Sequence, residues 1–237
     1  MRAYNRASIT RELIAKLPPA AIYHYKCESA LIDVWPFVQQ GFVSSVQFTQ
    51  EILPSDPSII WADMSKKKRS QIRRAQALVT LSLIDDPERF WNFYDTNLER
   101  RGERNYYTKS EVESCIKQVF LRRRGRIYAA KDVNNNLVAA ILCVWDRRTS
   151  YYYMSSRTAA AHDGAVSLLL WQAIQDAAEA GLIFDFDGLN DIATVEFYRG
   201  FGGRMVPRLN LTRTSAIGHL AWKFIKWRHA RPALAAG

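Results

Sequence analysis

The sequence predicts a mixed-sheet α/β (α+β) fold, and three patterns carry that prediction. Three strand-like segments follow one another between residues 126 and 156. Helical and strand-like segments then alternate from 164 to 212. Helical periodicity dominates the region before 126, and no internal repeat or low-complexity tract interrupts the chain.

Taken in order, Ser8 to Leu17 alternates apolar and charged residues at helical spacing and stops before Pro18-Pro19. Ala20 to Cys27 is aromatic and β-branched enough for a strand. Asp33 to Phe42, with Trp35-Pro36-Phe37 and Gly41, reads as irregular, and a second strand is expected over Val43 to Leu53. Asp56-Pro57 opens a helical region predicted to run through Ala77. Thr80–Ile84 returns to strand, and helices are expected at Pro87–Arg101 and Lys109–Arg123. Strands follow at Arg126–Lys131, Leu137–Trp145 and Ser150–Ser156, the first two joined through the polar run Asp132 to Asn136 as a hairpin. A helix over Gly164–Ala180, a strand over Leu182–Asp187, a short helix at Ile192–Arg199, a strand at Arg204–Thr212 and a terminal helix at Ala216–Arg228 complete the prediction. One domain with an N-terminal extension is the simplest arrangement. It divides into residues 1–55 ahead of the core, a core over 56–213, and a basic amphipathic helix and tail over 214–237.

The bulk properties narrow the function classes. At 237 residues with 48% hydrophobic composition the chain can bury a sizeable core, and disorder is excluded. Lys and Arg exceed Asp and Glu by ten, a balance that suits nucleic acid, a phosphorylated co-substrate or an anionic surface, or simply a soluble basic enzyme. Cys27, Cys115 and Cys143 are far apart and match no zinc spacing, so no metal is expected and the thiols read as small buried hydrophobes in a reducing compartment. No apolar run reaches transmembrane length, and the first residues lack a signal peptide's apolar stretch, so a cytoplasmic location without an integral membrane segment is expected.

Two regions stand out chemically. The first is Lys66-Lys67-Lys68-Arg69-Ser70-Gln71-Ile72-Arg73-Arg74-Ala75. At 3.6 residues per turn Trp61, Met64, Ile72, Ala75 and Val79 form an apolar stripe. Lys66, Arg69 and Arg73 lie along one flank and Lys67 and Arg74 along the other. Lys68 falls inside the stripe, where a charge must snorkel out or meet an anion. The helix is either a phosphate-contacting face or a solvated one. The second region starts at Phe184-Asp185-Phe186-Asp187-Gly188, whose alternation puts both carboxylates on one face of a strand. Such a pair suits a general base or an amine site, or else one member caps the next helix or pairs with an arginine. Phe197-Tyr198-Arg199-Gly200-Phe201-Gly202-Gly203 follows, and a phenol there is protonated at neutral pH, as a general acid must be, or it merely packs. None of the histidines, His24, His162, His219 and His229, has a triad or metal context; surface or capping roles are expected.

The order of these features from Ile59 to Arg213 resembles the C-terminal domain of the Fem-type peptidyl and aminoacyl transferases. The resemblance rests on K-K-K-R-x-x-I-R-R-A, on Arg100-Arg101-Gly102 with Tyr106-Tyr107, and on the aromatic strand Tyr151-Tyr152-Tyr153. Leu168-Leu169-Leu170-Trp171, Phe184 to Gly188 and Phe197 to Gly202 complete it, and Trp35-Pro36-Phe37 … Gln47-Phe48-Thr49 resembles the segment that precedes that domain. It implies a GNAT (acyl-CoA N-acyltransferase) fold, in which central strands splay to admit an acyl donor, and formation of an amide by an amine attacking an activated carbonyl. Fem-type enzymes take the acyl group from aminoacyl-tRNA, and related acetyltransferase-like members use acyl-CoA; neither is a permanently bound cofactor.

The sequence departs from the family pattern twice. Where coenzyme-A enzymes carry Q/R-x-x-G-x-G/A, Ala161-His162-Asp163-Gly164-Ala165-Val166 keeps one glycine and sets Asp163 beside the expected anion. Where Fem-type proteins read F-K-x-x-F-G, Tyr198 replaces the lysine. The expected catalytic groups are Tyr198 as acid and Asp187 or Asp185 as base. Lys68, Arg73, Arg157, Gly164 and Arg199 are the expected donor contacts, and Arg101, Tyr106, Tyr107 and Tyr153 shape the acceptor pocket. An N-acyltransferase using aminoacyl-tRNA is the leading expectation, with a small-molecule or peptide amine as acceptor. An acyl-CoA N-acetyltransferase and a non-catalytic GNAT-fold binding protein are the alternatives. Full Fem-type proteins have two such domains, and residues 1–55 are expected to be a remnant of the first, so a composite acceptor site is expected either to be missing or to form in a homodimer.

Overall fold

The computed structural model describes residues 3–189 and 191–215. The terminal helix expected at Ala216–Arg228 lies outside them. The chain divides into two compact units, one of Thr49–Met205 and one of Met1–Phe48 with Val206–Gly237; strands β2 (Val43–Ile52) and β8 (Arg204–Thr214) each run from one unit into the other.

The larger unit is built on a sheet in which the end of β2 pairs with β7 (Ile183–Asp185), followed by β6 (Thr149–Arg157), β5 (Leu137–Trp145), β4 (Gly125–Lys131) and β3 (Thr80–Ile84). All pairings are antiparallel except β6 with β7, so the sheet is mixed, as expected. Strand alternation sorts two cores onto its two faces. Tyr128, Ala130, Ile141 and Cys143 pack with Leu168, Leu169 and Ile174 of α7 (Ala165–Glu179) and Ile72 of α4 (Lys66–Leu78). Ile127, Ala129, Ala140 and Leu142 pack instead with Phe90 and Trp91 of α5 (Pro87–Arg100) and Ile116 of α6 (Lys109–Leu121).

Local chemistry sets the boundaries. The helical region expected from Asp56 to Ala77 is two helices, α3 (Pro57–Asp63) and α4. Met64 is extended and buried, and Ser65 restarts the helix by accepting from the Lys68 N–H at 3.1 Å. Arg69 reaches back to the Trp61 and Ala62 carbonyls at 3.2 and 2.7 Å, satisfying the end of α3. A capping box of Thr108 and Glu111 opens α6, and Asp191 caps α8 (Ile192–Arg199).

The smaller unit contains α1 (Ala3–Ala15), β1 (Ile22–Lys26) paired antiparallel with β8, and α2 (Trp35–Val38), a single turn within the stretch expected to be irregular. Ile14, Cys27, Phe42 and Leu211 form its core. No helix among the described residues is long and apolar enough to cross a membrane.

Candidate active site

Strand β6 meets β7 over three residues only, Thr149 to Tyr151 against Ile183 to Asp185. The remaining length of β6, Tyr152 to Arg157, has no strand partner on that side among the described residues. This is the splay that the resemblance implies. It leaves backbone donors and acceptors of β6 facing an open cleft of about 390 Å³, lined by Ser155, Ser156 and Arg157 of β6, Gln71 of α4, Asp163 and Val166 around the start of α7, Phe197 of α8, and Arg101. Ser156 is buried, and its Oγ has no hydrogen-bond partner among the described residues. A buried hydroxyl without a partner at a cleft wall is a position where a ligand would complete the bonding.

A bulge in the β5–β6 ladder re-aims the middle of the aromatic strand. Leu142 pairs with Met154 and Cys143 with Tyr152, so Tyr153 is the extra residue. Tyr153 lines a second, narrower cavity of about 60 Å³ with Tyr107, Glu111 and Cys115. Burial raises the Tyr153 pKa, with smaller contributions from Cys115, Tyr107 and the Asp187 carboxylate.

The start of α7 differs from an open anion cradle. Gly164 is buried against α4, where a Cβ would stand 2.5 Å from the Gln71 carbonyl oxygen; no larger residue fits. Its N–H donates to His162 Nδ1 at 3.0 Å, and the Ala165 N–H to the His162 carbonyl at 2.9 Å. Two of the first amides of the helix are therefore satisfied from within the chain, with the Asp163 carboxylate exposed beside them. His162 is thus a capping residue. Gly164, expected to contact the donor, serves helix packing.

Strand β7 ends at Asp185, two residues earlier than predicted. Asp185 Oδ1 accepts from the Asp187 N–H at 2.7 Å and from the hydroxyl of Thr49, whose Oγ1 in turn accepts from the Gly188 N–H at 3.0 Å. This buried turn holds Asp187 at φ +58°, so the two carboxylates do not continue one alternating face. Asp185 is 2% exposed, whereas Asp187 is half-buried and its charge acts on both Tyr153 and Tyr198.

Tyr198 stacks on Phe186, ring centroids 4.5 Å apart, and meets Tyr152 edge-on at 6.1 Å. Burial and the nearby Asp187 and Asp191 carboxylates push its pKa up to about 12, holding the phenol protonated. The Gln50 side-chain amide donates to the Tyr198 carbonyl at 2.9 Å and to that of Gly202, fixing the end of α8. Sequence reading missed Thr49 and Gln50. The signal was Thr49-Gln50-Glu51, three polar residues in succession within an expected strand, all of them buried.

Lys68 is buried, as its place in the apolar stripe requires. Its ammonium lies 3.7 Å from the Phe197 ring centroid and 4.3 Å from that of Phe201, and donates to Ser167 Oγ at 3.1 Å. Arg101 and Arg157 reach the cleft, with Arg101 paired to Glu103 at 2.8 Å. The other expected contacts lie elsewhere. Arg73 sits over Trp61 at 5.5 Å, Arg199 is exposed on the last turn of α8, and Tyr106 is exposed with Arg104 over its ring. Among the described residues no cluster of three or more His, Cys, Asp or Glu could hold a metal.

Comparison with known proteins agrees with this geometry. Among solved structures, the chain is similar to FemX (TM-score 0.70, 13% identity, covering 94% of this chain and 79% of that one). It is also similar to the C-terminal domain of a putative lysylphosphatidylglycerol synthetase from Agrobacterium fabrum (TM-score 0.62, 12% identity, 86% and 71% covered). L-PGS from Bacillus licheniformis shares the fold as well (TM-score 0.56, 14% identity, 86% and 72% covered). No curated protein matches the sequence. A family model described as an acetyltransferase (GNAT) domain matches residues 62–197, more than half of the chain. The chain therefore belongs to the acetyltransferase (GNAT) domain family, and it is an acyltransferase with a Fem-like form of that fold.

Proposed function

We propose that this acyltransferase takes an aminoacyl group from aminoacyl-tRNA and transfers it to an acceptor amine, forming an amide. The observation that carries the reading is the start of α7, two of whose first amides are already bonded within the chain. A coenzyme-A enzyme needs free amides there for the pyrophosphate. In this chain the Gly164 and Ala165 amides are bonded to His162, and the Asp163 carboxylate would repel the anion. The exposed basic residues Lys66, Lys67, Arg73 and Arg74 offer a surface for a polyanion on α4, whose Gln71 lines the cleft.

In the proposed reaction the acceptor nitrogen attacks the ester carbonyl and loses a proton to Asp187. The oxyanion is held by N–H groups on the unpaired length of β6. Collapse breaks the ester C–O bond, and the leaving hydroxyl takes its proton from Tyr198, whose surroundings keep it protonated. Asp185 orients the turn that carries Asp187. The narrow cavity of Tyr107 and Tyr153 receives the acceptor.

A second reading, acyl-CoA-dependent N-acetylation, is favoured by Tyr198 in place of the Fem-type lysine and by the family description. Filter binding with charged tRNA, set against thermal shift with coenzyme A, separates the two. Stabilisation by coenzyme A without retention of charged tRNA would defeat the first reading.

A further inference from the structure

One edge of the larger unit's sheet is open. Strand β3 (Thr80–Ile84) pairs with β4 on one side and has no strand on the other among the described residues. Native sheets blunt such an edge with a charged side chain, a proline or a bulge, because its free N–H and C=O groups otherwise template a further strand. None of these devices is present in β3. Ala75 to Ile84 contains no charged residue and no proline, in a chain of which 24% is charged. The pairs from Thr80–Lys131 to Ile84–Ile127 run without a bulge. The edge strand of the smaller unit, β1, does carry charge, in Lys26 beside His24.

The outward side chains of the open edge are apolar. Leu81 lies opposite Ala130 and Leu83 opposite Tyr128, so both stand on the sheet face against which α7 packs. They are nevertheless 37% and 59% exposed. Together they form one wall of an open groove of about 270 Å³, with Tyr128 and Gln172 among its other lining residues. The polar groups of the groove are bonded to one another. Asp176 accepts from the Tyr128 hydroxyl and the Gln172 amide, each at 2.8 Å, and from Arg126. A neutral, leucine-edged groove beside a free strand edge suits an apolar strand rather than a small charged ligand.

The sequence of the edge indicates which strand. Thr80-Leu81-Ser82-Leu83-Ile84 reads nearly the same in both directions about Ser82. An antiparallel copy related by a two-fold axis at Ser82 sets Leu81 against Leu83 of the second copy, Leu83 against Leu81, and Thr80 against Ile84. With the axis perpendicular to the sheet, opposed residues share a face. Four leucines then meet on the α7 side, with the Cα atoms of opposed pairs about 4.5–5.5 Å apart. This register pairs the whole of β3, and a one-residue slip would set Leu81 against Ser82 and turn the second copy's leucines to the other face.

We infer that β3 is the contact through which two copies of this chain associate, antiparallel and centred on Ser82, so that their sheets run on as one. The inference goes beyond the acyl-transfer reading and does not rest on it. Strand β3 stands three strands from β6, and the association does not involve the cleft.

The test uses the full chain. Sedimentation equilibrium from about 1 to about 200 μM is expected to show a monomer–dimer equilibrium in the wild type. Leu83→Lys should weaken it about a hundredfold, because the axis repeats each change at two places, and Leu83→Ile should retain it. Register is read by mild oxidation of Leu81→Cys mixed with Leu83→Cys, since opposed residues lie within disulfide range. The expected product joins one of each variant and forms several times faster than the homodimer of either alone, with the wild type giving the background from native thiols. A wild type that stays monomeric, a dimer unaffected by Leu83→Lys, or cross-linking no faster in the mixture overturns the inference. If Leu83→Lys does not fold, the cross-linking decides alone. A monomeric chain that transfers acyl groups would retain the proposed function and lose the contact, and a dimeric chain without transfer activity would do the reverse.

Discussion

Replacing Lys68 with methionine should change how stability depends on pH, and both sign and size follow from its surroundings. In the unfolded chain lysine titrates near 10.4; in the folded protein burial lowers it to about 8. Because the folded pKa is the lower one, the unfolded state binds more protons between the two values, and stability attributable to Lys68 rises with pH across that window. Below about pH 8 both states are protonated and the whole penalty is present. A separation of this size corresponds to about 3 kcal/mol. The Phe197 and Phe201 faces favour the protonated form and reduce the penalty toward about 2 kcal/mol. At pH 7 the methionine variant escapes the penalty but loses the ring contacts and the Ser167 bond, about 1 kcal/mol for the bond, so its stability should lie close to wild type. By pH 10.5 the wild type should have gained about 2 kcal/mol on the variant. Urea unfolding of both proteins at pH 7, 8, 9 and 10.5 reads the difference directly, because the other titrating groups cancel. A constant difference across that range would show that Lys68 is not a buried cation.

Three further outcomes follow from the same site. Tyr198→Phe should lower turnover about a hundredfold with donor binding unchanged, and full activity would exclude Tyr198 as the acid. Asp187→Ala should lower turnover with little change in stability, whereas Asp185→Ala, which leaves Thr49 and the Asp187 N–H without their acceptor, should destabilise by about 2 kcal/mol; equal effects of both variants on both readouts would refute the division of roles. Replacing Lys66, Lys67, Arg73 and Arg74 with Gln should weaken charged-tRNA binding and shallow the log-affinity against log-salt slope by about 2 to 3. Arg69 is left in place because it caps α3, and an unchanged slope argues against tRNA as the donor.

Strong periodicity and turn chemistry made most elements legible. Thr80–Ile84, Leu137–Trp145 and Ile192–Arg199 match their predicted bounds; the last two are closed off by polar, Gly or Asp residues at both ends, and the first by Asp85 at its end. The break between α3 and α4 was less legible, because Ser65 as a cap competes with a hydrophobic stripe that runs straight through it. The end of β7 was missed for a different reason: Phe184 to Gly188 alternates perfectly as a strand, and only the Asp185–Thr49 contact, from a strand far away in sequence, turns it. Lys68 shows sequence reading at its best, since a charge inside an apolar stripe is visible in one chain. What holds that charge, the rings of Phe197 and Phe201 more than a hundred residues later, is a property of the fold alone.

The donor question turns on how positive charge is distributed. A coenzyme-A site concentrates recognition of pyrophosphate on a few amides at one helix start, and here that start is bonded to His162 and flanked by Asp163. The charge of this chain is spread instead along α4, where Lys66 to Arg74 spans about 12 Å at 1.5 Å per residue. That length exceeds the roughly 8–10 Å over which exposed charges act at physiological salt. Lys66 and Lys67 at one end and Arg73 and Arg74 two turns on must therefore address separate phosphates rather than one compact group. Separate phosphates at such spacing are what a nucleic-acid backbone presents. A ligand with its charge at one place would engage only the cleft, near Arg157, and leave the exposed flank of α4 without a role.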